Sequence, residues 1–395
     1  MASKKVEVGK VVTFAGAIVA YLIGSAFATG QEVMQFFTNF GVWQSLGALI
    51  IGFIVMVYIS VRLMEDGRIL MLKKPSDIYR FYGGKYIGNF VKVFSAVYLF
   101  CLYVLMLSGA GTVMHEYYGI NRWAGSILMM ILTLITVLMG LKRMVQVLGK
   151  IGPAIIVIAV GVGFLNCIIN FANIPAADAF LASVDPAPLK ASGSWIISGI
   201  LNPTAAAVLM VPFLAGMGTE ASSKKEAIFG GGLGGFLFIF GAAAINFGIL
   251  ASLEKVYHLQ APALGMADII YPGLGVFYSV IVVLGIFTTA VPLLWAPFMT
   301  LEPDETSVKF KAMVVVGAII ALFGGQLHFS LLINIIIPIA GWVGILITIC
   351  VIYKGATCNL LEEAKQYERL PGAPEAASEI DAVVNDPEPA RVLSK

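Results

Sequence analysis

The sequence predicts an all-α polytopic membrane protein of ten transmembrane helices, arranged as a 5+5 inverted repeat in which helices one and six are discontinuous. Hydrophobic residues make up 59% of the 395 residues and charged residues only 12%, which is about half the charged share of a soluble domain. The apolar residues form blocks long enough to cross about 30 Å of hydrocarbon, which takes about 20 helical residues. Two of these blocks are interrupted at matching positions in the two halves of the chain.

Ten apolar blocks contain no charged residue apart from Glu32. A helix satisfies its backbone hydrogen bonds within itself, so a block that crosses hydrocarbon is predicted to be helical. The ten predicted spans are residues 11–37, 43–61, 93–114, 123–141, 151–170, 195–217, 227–253, 273–301, 312–327 and 329–353.

The distribution of Lys and Arg predicts which side of the membrane each end faces, because cytoplasmic loops carry the excess of these residues. If the amino terminus is cytoplasmic, only Arg122, Lys190 and Lys255 of the 25 Lys and Arg residues lie outside, and the basic loop 62–92 lies inside. The sequence therefore predicts a multi-pass protein of the cytoplasmic (inner) membrane, with both termini in the cytoplasm.

Composition divides the chain into two predicted parts. Residues 1–354 form the ten-helix domain, in which 11–170 are the first repeat and 195–353 the second. Residues 355–395 are rich in Pro, Glu and Asp. Such a segment buries too little apolar surface to fold alone, so we predict a disordered cytoplasmic tail. Between spans seven and eight, residues 262–270 predict a short helix outside the membrane.

The first span is interrupted halfway across by residues 24–30, GSAFATG, which are followed at once by Gln31 and Glu32. Glycine weakens a helix, and an unpaired backbone group in hydrocarbon costs several kcal/mol. Such a break persists only where the freed carbonyl and amide groups line a cavity or bind something. Broken helices at the membrane midplane are typical of secondary transporters, so the chain is predicted to move a small solute.

The sixth span contains residues 199–204, GILNPT, at the position that matches the first break. Pro203 removes a backbone donor and clashes with the preceding turn. Proline often only kinks a membrane helix, but two interruptions at matching positions predict a binding site between them. The residues expected to line this site are Gly24, Ser25, Ala26, Phe27, Thr29, Gly30 and Glu32 from span one, and Asn202 and Thr204 from span six.

The ten spans, the broken sixth helix and the segment Gly24–Glu32, GSAFATGQE, together resemble the amino acid–polyamine–organocation transporters, which have the LeuT fold. Within them, the segment is similar to the signature of the YkvI-type amino-acid permeases. The resemblance implies a bundle of spans one, two, six and seven, a scaffold of spans three, four, eight and nine, and gates at spans five and ten. It also implies a secondary active transporter of a small amino acid or related zwitterionic amine, with Tyr103 and Gly109 of span three near the substrate.

The resemblance further implies a sodium site, with Na⁺ as the coupling ion and no other cofactor. In sodium-coupled relatives, carbonyl groups at the first break and three groups of span eight hold one sodium ion. Gly24 and Phe27 would supply the carbonyl groups at the first break. The three groups of span eight would come from Gly285, Thr288 and Thr289, whose spacing puts them on one helical face. A hard cation prefers such oxygen ligands, although Thr also often bonds to its own helix.

Two residues offer an alternative to sodium coupling. Sodium-independent relatives have a fifth-helix lysine where the sodium ion would lie, and Lys150 has that location, although an interfacial lysine that snorkels would look the same. Glu32 is a carboxylate inside a span, where it should be paired or protonated. It could bind a substrate amine, exchange a proton or join spans one and six. With either residue, the function is proton-coupled or exchange transport. A separate alternative is a transport-inactive membrane sensor or structural protein of the same fold.

Other classes of function receive little support from the sequence. The spans contain no nucleophile–base pair and no metal cluster, and the chain has no ATP-binding motif, so we predict no enzymatic activity. The expected partners are a small-molecule substrate and the lipid bilayer, not nucleic acid, and the oligomeric state is left open. Residues 230–235 contain a formal G-x-G-x-x-G pattern. Because they lie inside span seven with no preceding strand, they predict close helix packing against span one or two.

Overall fold

The computed structural model describes residues 6–22, 24–72, 75–140, 152–302 and 304–357, and the regular structure within these ranges is helical. Short 3₁₀ segments at Thr38–Phe40, Pro75–Asp77 and Phe171–Ala176 connect some of the helices. The α-helices are α1 Val8–Leu22, α2 Ser25–Ala28, α3 Gln31–Phe36, α4 Val42–Leu70, α5 Ile78–Tyr118, α6 Arg122–Leu138, α7 Gly152–Ile169, α8 Ala177–Ser183, α9 Trp195–Gly218, α10 Lys224–Ala251, α11 Leu253–Val256, α12 Pro262–Ile270, α13 Leu274–Leu301, α14 Val308–Gly324 and α15 Phe329–Thr357.

The described helices are those of a multi-pass membrane protein. Six are long and apolar enough to cross a membrane, and a seventh span results if Val157–Ile169 and Phe171–Ser183, which meet at 81°, are one bent crossing. The helices Val8–Leu22 and Arg122–Leu138 are apolar but shorter. Every predicted span overlaps a helix, while the count of ten crossings stays a prediction. The predicted short helix at residues 262–270 is confirmed as α12.

The predicted loop 62–92 is wrong, because helices occupy most of this segment. α4 continues to Leu70, and α5 begins at Ile78 with a kink at Gly84, whose φ of +63° suits glycine. Charged side chains are compatible with the extra turns of α4 because they are paired. Arg62 donates to the Asp66 carboxylate across 3.0 Å, and the Tyr82 hydroxyl of α5 donates to the same oxygen. A compensated carboxylate is much less costly to bury than a lone one.

The predicted break in the first span is confirmed. α1 ends at Leu22, α2 is a single turn, and Gly30 has a left-handed φ of +80° immediately before α3. Neighbouring elements satisfy the carbonyl groups that the break frees. The Tyr278 hydroxyl of α13 donates to the Ala28 carbonyl across 2.6 Å, and the Ala263 amide of α12 donates to the Thr29 carbonyl across 2.9 Å.

The predicted break in the sixth span is wrong, because α9 runs without interruption through Pro203. A proline removes only one hydrogen bond of the ladder, and here a hydroxyl strengthens the adjoining turn. The Thr204 hydroxyl oxygen lies 2.9 Å from the Ile200 carbonyl oxygen and 2.9 Å from the Gly341 carbonyl oxygen of α15, so its single proton is shared between these two acceptors. Gly199 serves packing instead, since a Cβ there would lie 2.5 Å from the Ala48 carbonyl oxygen of α4.

Close contacts at glycine residues hold α1, α4, α9, α10 and α15 together. The glycines of residues 230–235 contact α1 and α4: a Cβ on Gly231 would lie 2.6 Å from the Ser60 carbonyl oxygen, and one on Gly234 would lie 2.6 Å from Ile18. The predicted packing role of this glycine-rich segment is therefore confirmed. α9 is packed in the same manner against α15, where a Cβ on Gly344 would overlap the Thr204 carbonyl oxygen.

Gly344→Val is expected to unfold or strongly destabilise the protein, by more than about 3 kcal/mol. The added side chain would meet backbone atoms, which cannot move aside as a side chain does. The measurement is the thermal midpoint and the monodisperse fraction of the detergent-solubilised protein. Gly161→Val in α7 is the matched control, because nothing lies within 4 Å of its Cβ position. Equal loss in both variants would show that the contact between α9 and α15 is not the cause.

Candidate functional site

A cavity of about 910 Å³ lies beside the break in the first span. Its wall comes from α1, α2, α3, α5, α9, α10, α13 and α15. A volume of this size is within the range of ordinary small-molecule sites. The cavity follows α1 from the break toward Thr13, and Thr13, Gly16 and Ala20 on this wall are exposed. It therefore reaches the side of the molecule on which α1 begins.

The polar wall of the cavity contains a hydrogen-bonded pair, Glu32 and Asn202. The interruption at Gly30 starts α3 so that Glu32 falls in its first turn, and Asn202 is presented by α9 directly before Pro203. The Asn202 amide nitrogen donates to one Glu32 carboxylate oxygen across 2.8 Å. Asn202 is only 3% exposed, and its own carbonyl oxygen is enclosed without a hydrogen-bond partner.

A second group of predicted residues meets where the break faces α13. A Cβ on Gly24 would lie 3.4 Å from the Thr289 methyl carbon and 3.8 Å from the Thr289 hydroxyl oxygen. Gly285, Thr288 and Thr289 all line the same cavity as Gly24. The Thr288 hydroxyl donates to the Gly285 carbonyl across 3.0 Å, so one predicted cation ligand is already bonded to another.

Phe27, the remaining predicted cation ligand, lies outside the cavity lining. Its ring packs against Phe238 of α10, with 5.3 Å between the ring centroids, and its carbonyl oxygen accepts from the Gly30 amide across 2.9 Å. Within the described residues, no group of three or more His, Cys, Asp or Glu side chains is arranged to hold a metal ion. Gly24 and the three residues of α13 therefore remain the candidate groups for a cation.

Of the residues predicted to contact substrate, Gly24, Ala26, Glu32 and Asn202 line the cavity. Thr29 and Gly30 instead pack against α12, where a Cβ on Gly30 would lie 3.3 Å from Pro262. α2 contains Ser25, whose side chain lies outside the described part of the structure, as does Lys150.

The other three predicted contact residues serve the packing of helices. The Tyr103 hydroxyl is buried and lies 2.9 Å from the Thr133 hydroxyl of α6. Gly109 faces the Phe329 ring, which a Cβ would approach to 3.0 Å. The Thr204 hydroxyl is occupied by the carbonyl groups described above. None of the three belongs to the cavity lining.

Sequence reasoning missed the apolar part of the wall. The missed residues share an apolar or aromatic character that does not distinguish them from lipid-facing or core residues, so no sequence signal could have found them. Tyr21 and Phe213 form a stacked pair with 4.2 Å between ring centroids. The missed lining residues include Tyr21, Tyr98, Leu102, Met106, Ala205, Ala206, Leu209, Phe213, Phe238, Pro292, Leu293 and Trp295.

Hydrogen bonds hold the opposite side of the molecule together. The Gln35 amide nitrogen of α3 donates to the Ser330 carbonyl of α15 across 2.8 Å, and the Asn334 amide nitrogen donates to the Gln35 side-chain oxygen across 3.0 Å. The Glu116 carboxylate of α5 accepts from the backbone amides of Gln260 and Ala261, across 2.9 and 3.2 Å. These bonds join α3 to α15 and the segment before α12 to α5.

The helix order, the broken first span and the cavity beside it define the fold of the LeuT-type transporters. Three solved structures have this fold in common with the chain. MhsT in complex with L-phenylalanine has a TM-score of 0.56 and 17% identity, and covers 93% of this chain and 94% of its own. A manganese transporter of Eremococcus coleocola has a TM-score of 0.54 and 12% identity over 97% and 86% of the two chains. Inward-facing Mhp1 has a TM-score of 0.53 and 16% identity over 82% and 72%.

Among curated proteins, the chain is similar to YkvI, an uncharacterized membrane protein of Bacillus subtilis (strain 168). The two are 26% identical over 341 residues, which is 83% of this chain and 91% of YkvI. No family model matches the chain. The similarity extends over most of both proteins, as the resemblance of the Gly24–Glu32 segment had predicted.

A cysteine placed on the cavity wall is expected to react with a hydrophilic maleimide, because the cavity reaches the surface along α1. In a background without the native cysteines, Ala206→Cys should be labelled quickly. Ala318→Cys, at a fully buried position of α14, should remain unlabelled in the folded protein. The measurement is the mass shift of the purified protein over time. Labelling of both positions at the same rate would contradict a cavity at this location.

Proposed function

We propose that this protein is a secondary active transporter that moves a small amino acid or related amine across the cytoplasmic membrane by alternating access. The single observation that carries the proposal is the cavity of about 910 Å³ beside a broken membrane helix. The fold of LeuT-type transporters supports it. MhsT, which has that fold, was solved with an amino acid bound, which supports the proposed substrate class.

The distribution of contacts around the cavity supports alternating access. α1, α4, α9 and α10 pack closely through glycine, whereas α13 packs with α5 and α6. The cavity lies between these two groups and reaches the side on which α1 begins. On the other side, the bonds of Gln35 and Glu116 close the structure. Opening that side requires these hydrogen bonds to break while the cavity closes at α1, which is the exchange that transport needs.

Sodium coupling is the proposed source of energy. Gly24, Gly285, Thr288 and Thr289 surround one part of the cavity wall, and their carbonyl and hydroxyl oxygens are ligands that a hard cation accepts. An ion between them would connect the break in the first span to α13. It would thereby link the helices that pack through glycine to the group formed by α5, α6 and α13. Binding of the ion would then favour one conformation over the other, because only one conformation holds all its ligands together.

A proton-coupled mechanism is the second candidate, and one observation favours it. Glu32 lines the cavity, and no Lys, Arg or His belongs to the part of the lining that the structure describes. A carboxylate in such surroundings is stable when it is protonated or paired with a cation. Glu32 is therefore the residue that we assign to a proton if sodium proves irrelevant. A sensor that binds solute without moving it is the third possibility. Only flux measurements distinguish such a sensor from a transporter.

Uptake into proteoliposomes tests the proposed transport. Purified protein should accumulate radiolabelled amino acid or amine when an inward sodium gradient is imposed, and much less in a matched choline buffer. Protein-free liposomes and the Gly344→Val variant are the controls for leak and for unfolded protein. Uptake that follows an imposed pH gradient and ignores sodium would replace sodium coupling by proton coupling. Solute binding without any flux would contradict a transporter.

Thr289→Ala is expected to raise the sodium concentration for half-maximal uptake by about tenfold or more, since one oxygen ligand of a hard cation is lost. Substrate affinity at saturating sodium should change little. The matched control is Thr300→Ala on the same helix, whose hydroxyl donates to the Ala296 carbonyl across 3.1 Å and does not line the cavity. An unchanged sodium dependence in Thr289→Ala would exclude the proposed cation site.

A further inference from the structure

The charge on the described part of the cavity wall is of one sign, negative. In the described part of the lining, Glu32 is the sole carboxylate, and no Lys, Arg or His accompanies it. Most other lining side chains are apolar or aromatic, and they include Leu102, Met106 and Phe238. A ligand that enters this cavity therefore meets one negative charge within an apolar surface. This inference rests on the proposed function, because it concerns the solute that the same cavity takes.

The hydrogen bonding of Glu32 and Asn202 defines what the pair can accept. A carboxylate accepts and does not donate, so Asn202 must turn its amide nitrogen toward Glu32, which leaves its carbonyl oxygen as an acceptor. That oxygen is enclosed and has no partner. The second carboxylate oxygen of Glu32 accepts no hydrogen bond from any described residue. The pair thus has two acceptor oxygens without donors, one of them charged, on two hydrogen-bonded side chains that both line the cavity.

An ammonium group fits these two acceptors better than a metal ion does. It carries a positive charge and three donors, so it can donate to both oxygens and still point one N–H elsewhere. A sodium or calcium ion needs about six oxygen ligands, which the apolar surface around the pair does not provide. The stacked rings of Tyr21 and Phe213 and the indole of Trp295 offer contacts to an apolar or aromatic body attached to the nitrogen.

We propose that the substrate is a primary-amine cation with an apolar body and without an α-carboxylate, and that Glu32 and Asn202 bind its ammonium group. In an α-amino acid, the carboxylate and the nitrogen are attached to one carbon. Binding of the nitrogen at Glu32 would bring the substrate carboxylate close to the Glu32 carboxylate, and like charges at that distance repel. Of the two substrate classes that the proposed function includes, the pair selects the amine.

Matched ligands test this selection on the wild-type protein. Leucine, isopentylamine and 4-methylpentanoate have related carbon bodies and differ in their charged groups, and phenylalanine, phenethylamine and 3-phenylpropionate form an aromatic set. We expect each amine to bind the purified full-length protein about tenfold or more tightly than its amino acid, with no binding of the acids. The quenching of tryptophan fluorescence is a suitable measurement because Trp295 lines the cavity.

Variants assign the selection to Glu32. Glu32→Gln keeps the shape of the side chain and should weaken amine binding by about tenfold to hundredfold. Glu32→Asp, which keeps the charge, should retain more of the affinity. The exposed Glu220→Gln is the control and should bind as the wild type does. The thermal midpoint of each variant separates loss of binding from loss of folding, and the comparison of ligands on the wild type requires no variant.

Three results would overturn the inference: equal or tighter binding of the amino acids, absence of binding by every amine at millimolar concentration, or undiminished amine binding in folded Glu32→Gln. Its failure is distinguishable from that of the proposed function. Amine binding without flux in proteoliposomes would contradict transport and leave the selection intact. Amino-acid uptake that is insensitive to Glu32→Gln would overturn the selection and leave transport intact.

Discussion

The need to satisfy backbone groups inside a bilayer is the constraint on which the rest of this structure depends. The helical hydrogen-bond pattern of the first span is interrupted between Leu22 and Gln31, where only the single turn α2 forms, and in hydrocarbon the groups that the interruption frees require partners. α12 and α13 supply two of them, through Ala263 and Tyr278. The break is thereby held from one side by elements outside the glycine-packed helices, while its other side faces the cavity. The break in the first span is therefore the place where α12, α13 and the helices around the cavity meet.

Glycine determines which helices can behave as one body. α1, α4, α9 and α10 approach each other at distances that exclude a side chain, as Gly231 against Ser60 illustrates. Where α4 meets α9 and α10, such contacts involve backbone on both sides and do not yield to rotamer changes, so these helices resist sliding past each other. α1 contacts the α10 glycines through the side chains of Phe14 and Ile18. The hydrogen bonds that close the side opposite the cavity are of another kind. They join side chains such as Gln35 to another helix, and each can be exchanged for a bond to water.

The sequence predicted the features that follow from local chemistry. The first break, the short helix α12 and the packing role of residues 230–235 are confirmed because glycine content and apolar length express them directly. The predicted break at residues 199–204 failed for a tertiary reason, since the Thr204 hydroxyl bonds within α9 and to α15 across the contact. The loop predicted at 62–92 failed similarly, because the pairing of Arg62, Asp66 and Tyr82 is invisible to composition.

The sequence by itself determined the class of protein, the approximate course of its helices and the site of the first break, because hydrocarbon imposes the same requirements on every segment that crosses it. Only the tertiary structure decided which residues share a cavity. Glu32 contacts Asn202, and Gly24 lies beside Thr289. Phe27, Tyr103 and Gly109 instead lie in contacts between helices. The physical reason is that a residue's facing depends on the rotation of each helix about its axis. Packing between helices sets that rotation. It cannot be deduced from an apolar sequence that has little amphipathic pattern.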